Sequence, residues 1–205
     1  MHNIKKYKLY RSLYDILNPT ISRKNISNYN IVVNKDILPM EVYYPKKDIN
    51  INNLIIYIPS SNNTNNLYSD LAINTNNLVI VLNYSDDKDN YYNSIKYIYD
   101  NINDIISDNI TIMTDQEGSD IEDYIINETY KTHDFRISKA ILLEPTIQLN
   151  KNTIKNSLVI INQNSNNKKL NDYNLDEIYL NDFFNGNSTI VNERIYNLIN
   201  NYIGG

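Results

Sequence analysis

The chain of 205 residues has no cysteine, no tryptophan, four glycines and two histidines. Without cysteine there is no disulfide, no thiolate nucleophile and no cysteine-ligated zinc. No run approaches about 18 consecutive apolar residues, so no membrane span is supported. The opening residues, Met1 to Lys6, carry charge but no apolar stretch follows them, so no secretory signal is expected. Basic clusters are scarce as well. Lys5, Lys6, Lys8 and Arg11 are the densest set in a chain of net charge −5, too few for a nucleic-acid footprint. No glycine-rich turn follows an early strand and no P-loop is present, which argues against nucleotide binding. A cytoplasmic or virion-associated protein is the simplest expectation, with no cofactor and no metal.

What is abundant is asparagine, isoleucine and tyrosine, the last at 19 residues. Residues with A/T-rich codons are over-used, which points to an A/T-rich genome such as that of a large DNA virus, a protist or a selfish plasmid. The Asn-x-Ser/Thr triplets follow from that composition by chance. A prion-like reading of the asparagines fails because periodic apolar residues interrupt them throughout, as a packed domain requires.

The apolar pattern reads in order. Tyr7, Tyr10, Tyr14 and Leu17 recur at helical spacing, within an N-terminal helical extension over residues 1–24. Residues 30–33 and 38–45 read as two antiparallel strands. The continuous apolar runs 54–58, 78–82, 110–113, 140–143 and 158–161 read as buried strands, and 177–180 as a shorter one. Between them, 67–73 reads as a short helix. Tyr91, Ile95, Ile98, Ile102, Ile105 and Ile106 trace an amphipathic helix, and so do Ile190, Val191, Ile195, Leu198, Ile199 and Tyr202. Buried strands alternating with helices predict one α/β domain over residues 1–205, with three layers and a mainly parallel sheet.

One stretch organises the rest. Residues 110–113 read as a strand, Thr114 to Gly118 as a sharp turn, and the following residues as a helix with Ile121, Tyr124 and Ile125 on one face. This resembles the nucleophile elbow of the α/β-hydrolase family, G-x-S-x-G, which lifts a serine above the sheet. The five positions here are Thr114, Asp115, Gln116, Glu117 and Gly118, so glutamine stands where the family has its serine. The order of elements is similar to that of the esterase and lipase branch. There a strand like 54–58 leads into His-Gly-Gly-Gly, whose amides form the oxyanion hole; this chain has Pro59-Ser60-Ser61-Asn62. The strand ending in Asp-Tyr-Arg is resembled by Asn83-Tyr84-Ser85, and the proline closing the strand after the elbow helix by Glu144-Pro145.

The resemblance implies a triad that the residues do not supply. The glutamine amide is not a nucleophile. The acid position after 158–161 reads Asn162 to Ser165, and the base position reads Asn181 to Asn187, without carboxylate at the first or histidine at the second. A displaced pair, Ser119 with His133, would need both ends of one helix brought together across roughly 20 Å. The acids Asp115, Glu117, Asp120, Glu122 and Asp123 do not match a calcium loop. They suit the positive end of a helix, with Asp115 or Ser119 as cap. Gly118 is expected to be kept for close strand–helix packing. Gln116 in the strained elbow conformation would cost about 1–3 kcal/mol, so the turn is expected to relax. The reading is a degenerate, catalytically inactive α/β-hydrolase-like protein that acts as a structural or protein-interaction module. The alternatives are an active esterase with a displaced serine, or a small-ligand binder using Gln116, Ser60 and Ser61 in the former cleft.

Overall fold

A computed structural model of the chain describes residues 26–33, 36–45, 53–60, 67–83, 85, 87–106, 110–116, 118–146, 157–162, 173–175 and 189–204. The strands are β1 (Ile26–Val33), β2 (Asp36–Tyr43), β3 (Leu54–Ile58), β4 (Leu78–Leu82), β5 (Ile110–Asp115), β6 (Lys139–Leu143), β7 (Ser157–Asn162) and β8 (Tyr173–Leu175). The helices among the described residues are α1 (Leu67–Thr75), α2 (Lys88–Ile106), α3 (Gly118–Thr132) and α4 (Thr189–Gly204). The expected helix over residues 7–17, the extension over 1–24 and the expected strand 177–180 lie outside the described residues. Tyr173–Leu175 forms β8, just before that last segment.

The sheet runs β1-β2-β4-β3-β5-β6-β7-β8. β2 is antiparallel to both β1 and β4, and the remaining pairs are parallel. The architecture is the three-layer, mainly parallel one that the alternation of elements predicts. It follows from the pleat. Leu54, Ile56 and Ile58 of β3, with Leu78, Ile80 and Leu82 of β4, point into a core closed by Tyr91, Ile95 and Ile98 of α2 and Ile125 of α3. Ile55, Tyr57, Val79 and Val81 alternate to the other side and meet Leu71 of α1 and Ile195 and Ile199 of α4. A strand buried on both faces cannot alternate polar with apolar, which is why these segments are unbroken apolar runs. Each buried branched side chain contributes about 1.5–3 kcal/mol relative to its exposed state.

The chain leaves β3 through α1 to β4 on one side, then returns through α2 to β5 on the other. The sheet therefore changes direction at β3, and the carboxyl ends of β3 and β5 flank the crevice where open α/β sheets place their sites. β3 delivers Pro59 and Ser60 there, and β5 delivers the turn from Thr114 to Gly118.

Candidate functional site

The turn between β5 and α3 is held at every described position. Thr114 is fully buried on the α2–α3 side of β5, and Asp115, the next residue, faces the α1–α4 side. Gln116 is exposed and has φ 37°, in the left-handed region that non-glycine residues seldom occupy. Its N–H donates to the Leu143 carbonyl at 2.8 Å. Its own carbonyl accepts from the Ser119 N–H at 3.1 Å and the Ser119 hydroxyl at 2.5 Å. The expectation of a relaxed turn is thus overturned. Bonds to β6 and to the first turn of α3 over-determine the left-handed residue, which is how local strain persists.

Gly118 opens α3 directly against β3. A Cβ there would lie 2.8 Å from the Ile58 carbonyl oxygen and 3.3 Å from the Thr114 Cβ. The close approach is to backbone, which cannot swing aside, so only glycine fits. Starting from that contact, α3 buries Gly118, Ser119, Glu122, Ile125 and Ile126. The expected face of Ile121, Tyr124 and Ile125 is therefore rotated: Ile121 and Tyr124 are only partly buried.

On the α1–α4 side Asp115 joins the two halves of the crevice. Its carboxylate accepts the Ser60 N–H at 2.6 Å and the Tyr57 hydroxyl at 2.7 Å. The Tyr57 ring packs at 5.0 Å against Tyr68 in a tilted arrangement, and Tyr68 meets Tyr43 edge-on at 5.6 Å. The Tyr43 hydroxyl donates to Glu41. Burial first, then the Asp115 charge, pushes the Tyr57 hydroxyl well above its ordinary range. Burial likewise raises Tyr68, helped by Asp115, and raises Tyr43, helped by its bond to Glu41. All three phenols stay protonated at neutral pH, which makes them donors and not nucleophiles.

On the α2–α3 side Glu122 is completely buried, and neither carboxylate oxygen has a hydrogen-bond partner among the described residues. Burial raises its carboxyl well above the usual range. The Thr114 hydroxyl opposes that shift and the Asp123 charge reinforces it. The Thr114 hydroxyl itself makes no bond of proper geometry. Burial thus favours the protonated form of Glu122 beneath the turn.

The remaining acids disperse. Asp115 belongs to β5 and reaches to Ser60 and Tyr57, and the Ser119 hydroxyl donates to a carbonyl, so the expected capping role gives way to these contacts. Asp120 pairs with Lys88 across to α2, and Asp123 accepts from Asn127. Among the described residues no three acidic or histidine side chains gather as a cation site. Pro59 is buried and Ser60 half-buried, while Ser61, Asn62, Glu117 and the positions 163–165 and 181–187 lie outside the described residues.

The structure does not bring Ser119 and His133 together. Ser119 is fully buried in the first turn of α3. His133 follows Thr132 at the other end, exposed, with φ 56° and its N–H on the Thr129 carbonyl at 3.0 Å. It ends the helix in the left-handed manner. Two residues that matter to the site were not singled out from sequence: Tyr57, whose hydroxyl is invisible in an apolar run, and Glu122 as a buried group. For Glu122 a signal existed. It lies four positions after Gly118 and three before Ile125, on the stripe that faces the sheet.

No protein-family model and no curated protein sequence matches the chain. Solved structures do match. The iron-lacking apo form of ESTFA superposes with a TM-score of 0.67 at 15% identity, over 98% of this chain and 92% of that one. An ester hydrolase from the metagenome of Lake Arreo, complexed with a bipyridine phosphonate derivative, gives a TM-score of 0.69 at 10% identity, over 100% and 91%. An arylesterase gives 0.54 at 17%, over 70% of this chain and 52% of that one. The fold is that of the α/β-hydrolases. At these identities the likeness is one of fold alone. No described helix is long and apolar enough to cross a membrane.

Proposed function

We propose that this chain is a catalytically inactive α/β-hydrolase-fold protein that acts through contact with another protein. The observation that supports the reading is Gln116: the exposed, left-handed residue at the apex of the β5–α3 turn is an amide. A hydrolase needs a hydroxyl or thiol at such a point, with a base in hydrogen-bond reach. The Thr114 hydroxyl is buried, the Ser119 hydroxyl is buried and bonded to a carbonyl, and His133 stands the length of α3 away. A turn that holds its strained shape without a nucleophile serves the fold and presents the exposed Gln116 at its apex.

The test is labelling of the purified protein with a fluorophosphonate probe, alongside hydrolysis of a short-chain aryl ester. The expected result is no adduct and no turnover above a heat-denatured control. A stoichiometric adduct, mapped to any serine, would overturn the reading and name a displaced nucleophile. For the contact role, a photo-crosslinking side chain at Gln116 should capture one defined partner in the native cells, and the same group at exposed Asn197 on α4 should not. Equal capture at both sites, or none, argues against it.

A further inference from the structure

α3 is held to the sheet differently along its length. Its far half is anchored by Ile125 and Ile126, both buried, and by a bond of 2.6 Å between the Thr132 and Tyr92 hydroxyls. Its first half packs through Gly118, Ser119 and Glu122. Among the described residues, that half is tied to α2 by two surface contacts: Asp120 pairs with Lys88, and the Tyr124 hydroxyl donates to Asp89. Exposed pairs of this kind contribute little. The fully buried carboxyl of Glu122 thus lies in the less anchored half of the helix.

The surroundings offer an ionised Glu122 almost nothing. One row of the sheet register brings together Ile58, Thr114 and Leu142, and the Thr114 hydroxyl is the polar group of the three. On α3 the neighbouring charge is Asp123, of the same sign. On α2, Asp89 is an acid, Lys88 is engaged by Asp120, and Lys96 pairs with Asp134 toward the far end, where Lys131 pairs with Glu128. Lys139 of β6 turns to the opposite face and donates to the Tyr202 and Ile203 carbonyls of α4. From α4, the Tyr202 phenol feels the Glu122 charge, and burial foremost keeps it protonated.

We propose that Glu122 makes the first half of α3 a pH-gated latch: the protonated side chain lets the helix close on β3 and β5, and ionisation unwinds its first turns into water. Unwinding there breaks surface pairs and apolar contacts, while the Thr132–Tyr92 bond and the Asp115 tie between β5 and β3 stay in place. The opening is therefore local. The closed state binds the proton more tightly, so the latch holds at low pH. It loosens as pH rises through the closed-state value, which burial sets above the ordinary glutamate range. The latch stands whether or not the turn is catalytically inactive.

Native-state amide hydrogen exchange of the intact protein from about pH 5 to about pH 9, the range a buried carboxyl reaches, tests it after correction for the intrinsic pH dependence of exchange. Above the closed-state value, protection of the Ser119, Glu122, Asp123 and Tyr124 amides should fall about tenfold per pH unit. The amides of Thr129 to Thr132 and of β3 should keep theirs. Glu122→Gln should retain the protection and lose its pH dependence. In the unaltered protein, the Glu122 carboxyl carbon followed by NMR should titrate above the ordinary glutamate value, in step with the loss of protection. Protection constant with pH, a carboxyl titrating at the ordinary value, a pH dependence that survives Glu122→Gln, or equal loss in β3 and α3 would each overturn the proposal.

Discussion

Two carboxyl groups lie on opposite faces of the sheet beside the same turn, and they meet burial in opposite ways. Asp115 accepts an amide and a phenol from β3 and the residue that follows its loop. Glu122 is fully buried, and neither of its oxygens has a hydrogen-bond partner of proper geometry among the described residues. The contrast teaches that position near the turn does not decide an acid's state; the donors on the facing strand do. β3 and the residues after it offer Tyr57 and the Ser60 amide on one face and aliphatic Ile56 and Ile58 on the other, where the Thr114 hydroxyl of β5 lies near Glu122 without a bond of proper geometry. The first acid therefore ties the end of β5 to the end of β3, and the second is buried where the neutral form is favoured.

The largest effect should come from deleting the satisfied acid. Asp115→Ala leaves the buried Tyr57 hydroxyl and the Ser60 N–H without their acceptor, and should lower unfolding free energy by about 3 kcal/mol, read by urea denaturation. A loss no greater than that of an ordinary surface substitution would show the two acids to be equivalent after all.

The opposite sign is expected for the orphaned one. A carboxyl whose folded pKa is raised binds its proton more tightly in the folded state. Its contribution is thus fully favourable below the unfolded value near 4.5 and is lost as pH rises from there toward the folded value. Glu122→Gln removes that titration, so it should stabilise the protein by about 1–3 kcal/mol at neutral pH. The gain should shrink toward zero as pH falls to the unfolded value. Thermal melts from acid to mildly alkaline pH check it, and a pH-independent difference would refute it.

The smallest effect falls on the backbone between the two acids. Gln116→Gly should relieve the left-handed strain and raise stability by about 1 kcal/mol, additively with either acid variant. Non-additivity in a double-mutant cycle would mean that the turn transmits strain from one face of the sheet to the other.

Much of the frame was legible in the chain. The runs Leu54–Ile58 and Leu78–Leu82 coincide with β3 and β4 to the residue, because a strand covered on both faces must be apolar throughout. Gly118 was legible too, as the glycine at a strand–helix junction. The short helix at residue 67 and the long one before β5 also fall where spacing put them. The orientation of α3 was not legible. Counting apolar residues selected Ile121 and Tyr124, whereas the contact of Gly118 with Ile58 turns Glu122 inward in their place. Periodicity sees which side chains are greasy, and an acid on the buried stripe is read as solvated.

By itself the sequence determined the alternation of buried strands and helices, the amide at the apex of the turn, the absence of cysteine and the presence of only two histidines. These depend on residue type and near neighbours, which the chain displays directly. Only the tertiary structure decided that Gln116 stays left-handed, and that Asp115 finds donors while Glu122 finds none of proper geometry among the described residues. Each of those rests on a partner from another strand: Leu143 for the first, Tyr57 and Ile58 for the second. Such partners are set by how the layers pack, and no local pattern records them.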